Sequence, residues 1–392
     1  MPLPLYLLAL AAFAMGTSEF MLAGLLPDIA PDLDVTVGTA GALTSAFAIG
    51  MVVGAPLVAG LARNRPGRSG LAGFVLVFLT AHVVGAATSS FPLLVATRVA
   101  AALAYAGFLA VALTTATTLV PPDRKGRALA VLLSGTTVAA VAGVPGGAVL
   151  GTLFGWRATF WAVAAVCLPA VIGIATGIPA RRVRTAAADG PALRSELAQL
   201  KRPRLLLVML LGAVVNAATF AGFTFLAPVV TDTAGLGELW IPVVLALFGA
   251  GSFAGVTVAG RLSDRHPGPV VAVGGALLLV GWPALALLAD RPAALLALVF
   301  VQGALSFALG STLITRVLYE AAAAPTMAGA YATAALNAGA VVGPLVAATT
   351  LGTAAGELGP LWASGLLVLV ALLVAFPLRG VIAADRSSEV LR

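Results

Sequence analysis

The nine residues GLARNRPGR at positions 60–68 return two hundred positions later as GRLSDRHPG at positions 260–268. Each is a basic turn carrying proline and glycine, the residues that most strongly interrupt regular structure. Each also stands between two long apolar runs. The echo continues at nearly the same offset: Pro27 closes the first apolar run and Pro228 the seventh. AGVPGGAVLG at 142–151 is answered by AGAVVGPLVA at 338–347, which sets Pro145 opposite Pro344. A period of about 200 residues is far longer than that of a solenoid repeat. It reads as one half of the chain duplicated in parallel, the arrangement of an alternating-access transporter.

The composition agrees. The 392 residues are 60% hydrophobic and 9% charged, with a mean hydropathy of +1.07, whereas a soluble domain carries about 25% charged residues. This is an integral membrane protein, which excludes a disordered chain, a disulfide scaffold and a soluble enzyme. Apolar runs long enough to span, about 20 residues each, are predicted at 5–26, 37–62, 69–88, 91–119, 128–153 and 158–178. The second six are 205–230, 239–261, 270–288, 293–318, 329–351 and 361–378. They are called spans 1 to 12 below. The first run lacks a basic flank and is too long for a signal peptide, so it reads as a retained span. The expected units are an N-terminal six-helix bundle at 1–179, a linker at 180–203 and a C-terminal six-helix bundle at 204–392.

Arg and Lys crowd the loops on one side: Arg63, Arg65, Arg68, Arg124, Lys125, Arg127, seven more between positions 181 and 204, then Arg261, Arg265, Arg316 and the tail. The opposite loops hold Arg157 and Arg291 among Asp28, Asp32, Asp34, Asp232, Glu238, Asp290 and Glu357. By the positive-inside rule the basic side, with both termini and the linker, faces the cytoplasm. Topology thus accounts for the net charge of +7, and no nucleic-acid partner is implied. One cysteine, Cys167, and two histidines, His82 and His266, offer no disulfide and no metal site. Within the linker, ALRSELAQL reads as a short interfacial helix.

The motifs carry a family resemblance. GLARNRPGR and GRLSDRHPG resemble the loop signatures between spans 2 and 3 and spans 8 and 9 of the major facilitator superfamily. AGVPGG followed by GWRATFW resembles the antiporter signature of its twelve-span drug:proton exporters, and GTSEFMLAGLLPDIAPDL their first span. With VNAATFAGFTFLAPVVTDTAGL and GSTLITRVLYEAA, the whole chain most resembles the actinobacterial chloramphenicol-resistance exporters. The resemblance implies an all-α major facilitator fold and proton-coupled efflux of chloramphenicol or a related drug. It also implies the proton as coupling ion, no other cofactor, a bacterial cytoplasmic membrane and a monomer. Three positions depart from the pattern. Asn64 replaces the usual acid, although Asp264 keeps its counterpart. Ala101-Ala102 replaces Gln-Gly after the span-4 arginine, while Gln302-Gly303 stands in span 10. Pro145 lies two residues after Gly143 instead of one.

Glu19 is the one carboxylate predicted inside the bilayer, and an intramembrane acid is by default a functional candidate. The alternatives are a structural acid locked to a neighbouring helix or one in the outer interface. Arg98 is the one arginine or lysine predicted deep within a span, Arg261 and Arg316 standing at cytoplasmic span ends. Glu19 lies seven residues before Leu26 and Arg98 seven after Phe91, which puts both about 10 Å below the same mouth. The expectation is a pair at equal depth, either structural or proton-coupling; in the family the matching arginine serves coupling. Gly135, Ala139, Gly143, Gly147 and Gly151 recur every fourth residue in span 5, as do Ala335, Gly339, Gly343 and Ala347 in span 11. This spacing permits close helix contact, read as packing and also as a water-poor seam between the halves, bent at Pro145.

The gate residues are expected to be Gly60, Asn64, Arg65, Gly67 and Arg68, with Gly260, Asp264, Arg265, Gly143, Pro145 and Gly147. Asp264 would face the start of span 5 and form an asymmetric latch, whereas Asn64 would face the start of span 11 without a charge. The drug cavity is sought among Met15, Tyr105, Phe108, Asn216, Phe220, Phe223, Gln302, Tyr331 and Asn337, which offer apolar walls and a few hydrogen-bonding groups. Each is equally readable as helix packing. A transporter of another small solute, such as a sugar or metabolite, shares the scaffold. A membrane-embedded enzyme lacks the clustered acids, histidines or cysteines it would need.

Overall fold

The computed structural model describes residues 1–61, 67–178, 193–262 and 267–375. Twelve helices among them are long and apolar enough to cross a membrane. Spans 1 to 6 run Leu3–Gly24, Val37–Leu57, Gly67–Ala87, Phe91–Thr118, Lys125–Phe154 and Trp156–Gly177. Spans 7 to 12 run Pro203–Thr224, Trp240–Leu262, Gly268–Leu287, Pro292–Glu320, Ala328–Leu351 and Gly356–Ala375. Leu57, Phe154, Ile172, Val280 and Leu366 stand exposed, a surface suited to acyl chains and not to water.

The repeat in the sequence is a repeat in space. Span 1 packs on spans 5 and 6, span 2 on span 4, and span 3 on spans 4 and 6. Adding six to each number gives the packing of the second half: span 7 on 11 and 12, 8 on 10, and 9 on 10 and 12. Each bundle has its own core, one centred on Met15, Phe78, Phe108 and Phe160, the other on Leu211, Phe248, Leu278 and Trp282.

The small-residue stripes close helices together inside each bundle. A Cβ on Gly135 would lie 2.2 Å from the Ala9 carbonyl oxygen, and one on Gly143 would lie 2.0 Å from Thr17 Oγ1. In span 11, a Cβ on Gly339 or Gly343 would meet the carbonyls of Ala213 or Ala217 at 2.0 and 2.3 Å. The stripes therefore seal span 5 to span 1 and span 11 to span 7, which corrects the expected seam between the halves. Backbone contact this close needs hydrogen in place of a side chain, and it is met only where two helices run side by side at this depth. Gly147 belongs to the same face, against Thr159 and Met21.

The halves meet along another face. Span 2 packs on span 11, with the Ser45 hydroxyl donating to the Val341 carbonyl at 2.8 Å. Span 8 meets the second half of span 5, where Gly249 lies against the Ala140 carbonyl. The first half of span 5, Lys125–Val138, packs instead on spans 1 and 4. Between these two parts the helix widens into a π turn, Ala139–Gly143, where the Val144 amide donates to Ala139. Pro145, which has no amide hydrogen, sits in the first turn of the helix that resumes at Val144. The bend expected at the proline is thus a π turn just before it.

Candidate functional site

Span 1 breaks where function was sought. Its α-helix ends at Phe20 and a 3-10 turn, Met21–Gly24, follows. Pro27 lies just beyond and resists a continuing helix. The last carbonyls of a helix lack intrahelical donors, and Arg98 supplies one. Its Nη2 donates to the Ser18 carbonyl at 2.7 Å and its Nη1 to Ser18 Oγ at 2.6 Å. The guanidinium also lies 4.4 Å from the centroid of the Phe47 ring. A cation at a helix C-terminus is favourable. Two charge-assisted bonds of about 1.5–3 kcal/mol each, with a cation–π contact of about 2, offset a desolvation cost of several kcal/mol.

The depth arithmetic therefore brought Arg98 to the right helix turn but one residue from the expected partner. Arg98 bonds Ser18, and no Arg98–Glu19 hydrogen bond or ion pair occurs in the structure. The reason is the helix break, which presents a bare carbonyl where a continuous helix would present none. Glu19 keeps partial exposure while Arg98 is fully enclosed. Glu19 is thus half-buried next to a turn whose arginine is bonded to Ser18.

His82 joins this cluster and was passed over in the sequence. Its ring nitrogen Nδ1 lies 2.9 Å from the Phe78 carbonyl, and Nε2 lies 2.7 Å from Ser18 Oγ. Counting back from the outer end of span 3 at Ala87 sets His82 five residues deep, close to the level of Glu19 and Arg98. The arithmetic that paired those two would have found it.

Of the residues sought for a drug cavity, Phe220 and Phe223 stand at the seam between the bundles. Phe20 of span 1 stacks on Phe220 at 5.8 Å between centroids and meets Phe223 edge-on at 6.1 Å. Phe223 packs on Phe248 at 4.7 Å, and Phe248 on Phe307. The cavity among these rings has a volume of about 20 Å³, room for a water and not for a drug-sized ligand, which needs about 300 Å³ or more. Met15 and Tyr105 are buried, with Tyr105 near Gly16 and Phe47. Phe108 lies wholly inside the first core. Asn216 donates to the Leu336 carbonyl at 2.7 Å and so ties span 7 to span 11. Asn337 bonds its own helix at Thr333. Gln302 is enclosed against Gly281, its amide without a hydrogen-bond partner among the described residues. Residue type alone does not say which way a helix faces, and these side chains point in several directions.

The gate residues Asn64, Arg65, Asp264 and Arg265 lie outside the described residues. Of the others, Gly67 is buried at the start of span 3, Arg68 follows it partly buried, and Gly260 is exposed in span 8. The start of span 11, where no acid was expected, receives one from the linker. Glu196, in the short helix Leu193–Leu197, is fully buried. Its carboxylate accepts the Met327 amide at 2.9 Å, the Thr326 amide at 3.1 Å and the Thr326 hydroxyl. The Tyr331 hydroxyl donates to the Glu196 carbonyl at 2.9 Å, so Tyr331 serves the linker and not a cavity. A carboxylate at a helix N-terminus meets both unpaired amides and the dipole. Glu196→Ala is expected to speed tryptic cleavage at Arg194 and Lys201 about fivefold, the equivalent of a ~1 kcal/mol cap. An unchanged cleavage rate would mean that other contacts hold the linker.

The acidic loops meet on the opposite face around a pocket of about 440 Å³ lined by Asp28, Asp32, Arg157 and Glu238 among others. Asp32 accepts from Arg157 and from Trp156 Nε1, and Arg157 also reaches the Thr88 carbonyl at 3.1 Å. Burial, and then the charge of Glu238, pushes the Asp28 carboxyl above its ordinary range.

Two matching six-helix bundles about a common seam are the architecture of a membrane transporter. The chain belongs to the Major Facilitator Superfamily, whose model matches residues 8–334, and it is a transporter and not an enzyme. It is 77% identical over 392 residues to the "Chloramphenicol resistance protein" of Streptomyces lividans, covering 100% of both chains. It is 32% identical over 340 residues to the inner membrane transport protein YdhP of Escherichia coli (strain K12), covering 87% of this chain and 86% of that one. Its fold matches that of a bacterial homolog of the human lysosomal transporter Spinster, solved inward-facing and unoccupied. The TM-score is 0.78 at 18% identity, over 99% and 98% of the two chains. The expected superfamily and all-α fold are borne out.

Proposed function

We propose that the chain exports chloramphenicol or a closely related drug in exchange for protons, across a bacterial cytoplasmic membrane, and so confers resistance. The observation that carries the drug assignment is the 77% identity over 392 residues to a chloramphenicol resistance protein. The basic loops, the linker and both termini face the cytoplasm, as their Arg and Lys content favours. Residues 1–179 and 204–392 rock about the seam as two units joined by the linker at 180–203, each monomer working alone.

Proton coupling rests on the broken turn of span 1. Chloramphenicol is uncharged, so exchange for one proton moves one charge inward and draws on the membrane potential, about 2.3 kcal/mol per 100 mV. Glu19 is the group that takes the proton, and Arg98 is the nearby charge that biases its release. In the form described here the bundles touch through the halves of spans 2, 5, 8 and 11 nearer the acidic loops. That side is closed, with the aromatic rings of the seam packed on one another. Susceptibility of an efflux-deficient host expressing the protein tests the substrate class. Chloramphenicol and florfenicol resistance is expected; resistance confined to cationic dyes, or absent altogether, would overturn the drug assignment.

A further inference from the structure

Arg98 has two places to go. It sits on Ser18, and Glu19 is the next residue along the same helix. What decides between them is the hydrogen-bond direction through Ser18, and that direction is set from span 3. The Phe78 carbonyl accepts only, so His82 carries its hydrogen on Nδ1, at 2.9 Å from that oxygen. In the neutral ring Nε2 is then an acceptor. It takes the Ser18 hydroxyl hydrogen at 2.7 Å. With its hydrogen directed at His82, the Ser18 oxygen turns its lone pairs to Arg98 Nη1 at 2.6 Å.

The order is fixed along four groups: Arg98 donates to Ser18, Ser18 to His82, and His82 to Phe78. Move the ring hydrogen to Nε2 and two acceptors, Nδ1 and the Phe78 carbonyl, face each other; turn the Ser18 hydrogen toward Arg98 and two donors do, inside a site where His82 is 1% and Arg98 and Ser18 are 0% exposed. The ring itself is held between Phe78 at 4.1 Å and Phe160 at 5.6 Å between centroids, so it does not turn away to find another partner.

We propose that His82 is a positioning residue for proton exchange: as a neutral acceptor it orients Ser18 so that Arg98 is held there, away from the Glu19 carboxyl. The inference deepens the proton-coupled reading and rests on it for its meaning. Ser18 enters the cluster from span 1, Arg98 from span 4 and Phe160 from span 6, while Glu19 follows Ser18 in the chain and the Tyr105 hydroxyl of span 4 lies near Gly16. Glu19 and Arg98 are thus the two groups whose charge the arrangement controls. Without the acceptor on span 3, the Ser18 hydroxyl hydrogen competes with Arg98 Nη1 for the same space. The guanidinium then gains by turning to the carboxylate one residue further on. An ion pair there would hold Glu19 ionised to lower pH, and proton loading would need a more acid outer side.

The test reads Glu19 directly. A hydrophobic carbodiimide adds to a carboxyl group in its protonated form, and mass spectrometry locates the adduct. Labelling of Glu19 is measured against pH in the purified full-length protein, with no drug present. His82→Phe, which keeps a ring of similar size and removes the acceptor, is expected to move the midpoint to lower pH by about one unit. Ser18→Ala should move it in the same direction. The double variant should move it no further than the larger single shift, because both changes break one chain of bonds. His82→Gln returns an acceptor and should restore most of the wild-type profile.

An unchanged midpoint in both His82→Phe and Ser18→Ala overturns the inference, as does an additive double variant. Should His82→Phe fail to fold, Ser18→Ala alone decides by the same shift. Chloramphenicol-driven proton movement is measured separately on the wild-type protein. Its absence would sink the coupled-exchange reading and leave the labelling result standing as a statement about Arg98 and Glu19.

Discussion

Glu19→Gln is expected to reduce pH-driven chloramphenicol export to background while drug binding is retained. The substitution keeps the length and shape of the side chain and removes its capacity to exchange a proton. Nothing else at that turn replaces it: Ser18 does not titrate and Arg98 is committed to the Ser18 oxygens. Glu19→Asp keeps a carboxyl about one methylene shorter and should retain partial export with a displaced pH profile. If Glu19→Gln exports at the wild-type rate, the proton-carrying group lies elsewhere. Asp28 is next in line, because burial and Glu238 raise its proton affinity at the acidic face. Binding is read by fluorescence quenching or scintillation proximity on purified protein, and export by drug accumulation in cells.

The second large effect is structural. Gly135→Ala is expected to remove most folded, monodisperse protein, whereas Gly146→Ala is expected to behave as wild type. A Cβ on Gly135 would stand 2.2 Å from the Ala9 carbonyl oxygen, and that atom cannot yield without moving the whole of span 1. Overpacking of a well-filled contact costs about 1–3 kcal/mol or more, and here it falls on the helix that carries Glu19. Gly146 has no heavy atom within 4 Å of such a Cβ, so alanine there adds helix propensity of about 1 kcal/mol. Thermal melting and size-exclusion profiles in detergent separate the two. Equal behaviour of both variants would mean that the stripe does not hold span 5 against span 1.

How far the sequence carried depends on what each feature needs. The two bundles were legible because duplication leaves paired marks, GLARNRPGR against GRLSDRHPG and Pro27 against Pro228, that survive in one dimension. Arg98 was legible because depth in a membrane is arithmetic, and the same count would have reached His82. Three things were not legible. The stripe of Gly135, Gly143 and Gly147 announces close contact but not the partner, and span 1 took it instead of the opposite bundle. The partner of Arg98 depended on where span 1 stops being α-helical, a matter of one turn between Ser18 and Gly24. Glu196 reads in sequence only as part of a short interfacial helix, because its burial comes from Thr326, Met327 and Tyr331, which lie about 130 residues away in the chain.

For the cavity, the limit was orientation. Phe220 and Phe223 came to the seam and Phe108 and Gln302 turned inward, although all four are large or polar residues within spans. Phe20, which joins the seam rings from the N-terminal bundle, is not among the residues sought for the cavity. Substituting it would test the seam from the side the sequence overlooked.

The central claim, that drug leaves as protons enter, is tested most directly in proteoliposomes holding the purified protein and an internal pH indicator. With the membrane potential clamped by potassium and valinomycin, chloramphenicol is added on one side and proton movement is followed. The account predicts proton flux opposite in direction to the drug, accelerated by a potential that favours inward positive charge and absent in Glu19→Gln. Drug flux that proceeds at one rate whatever the pH gradient or potential, with no proton movement in the wild-type protein, would contradict it.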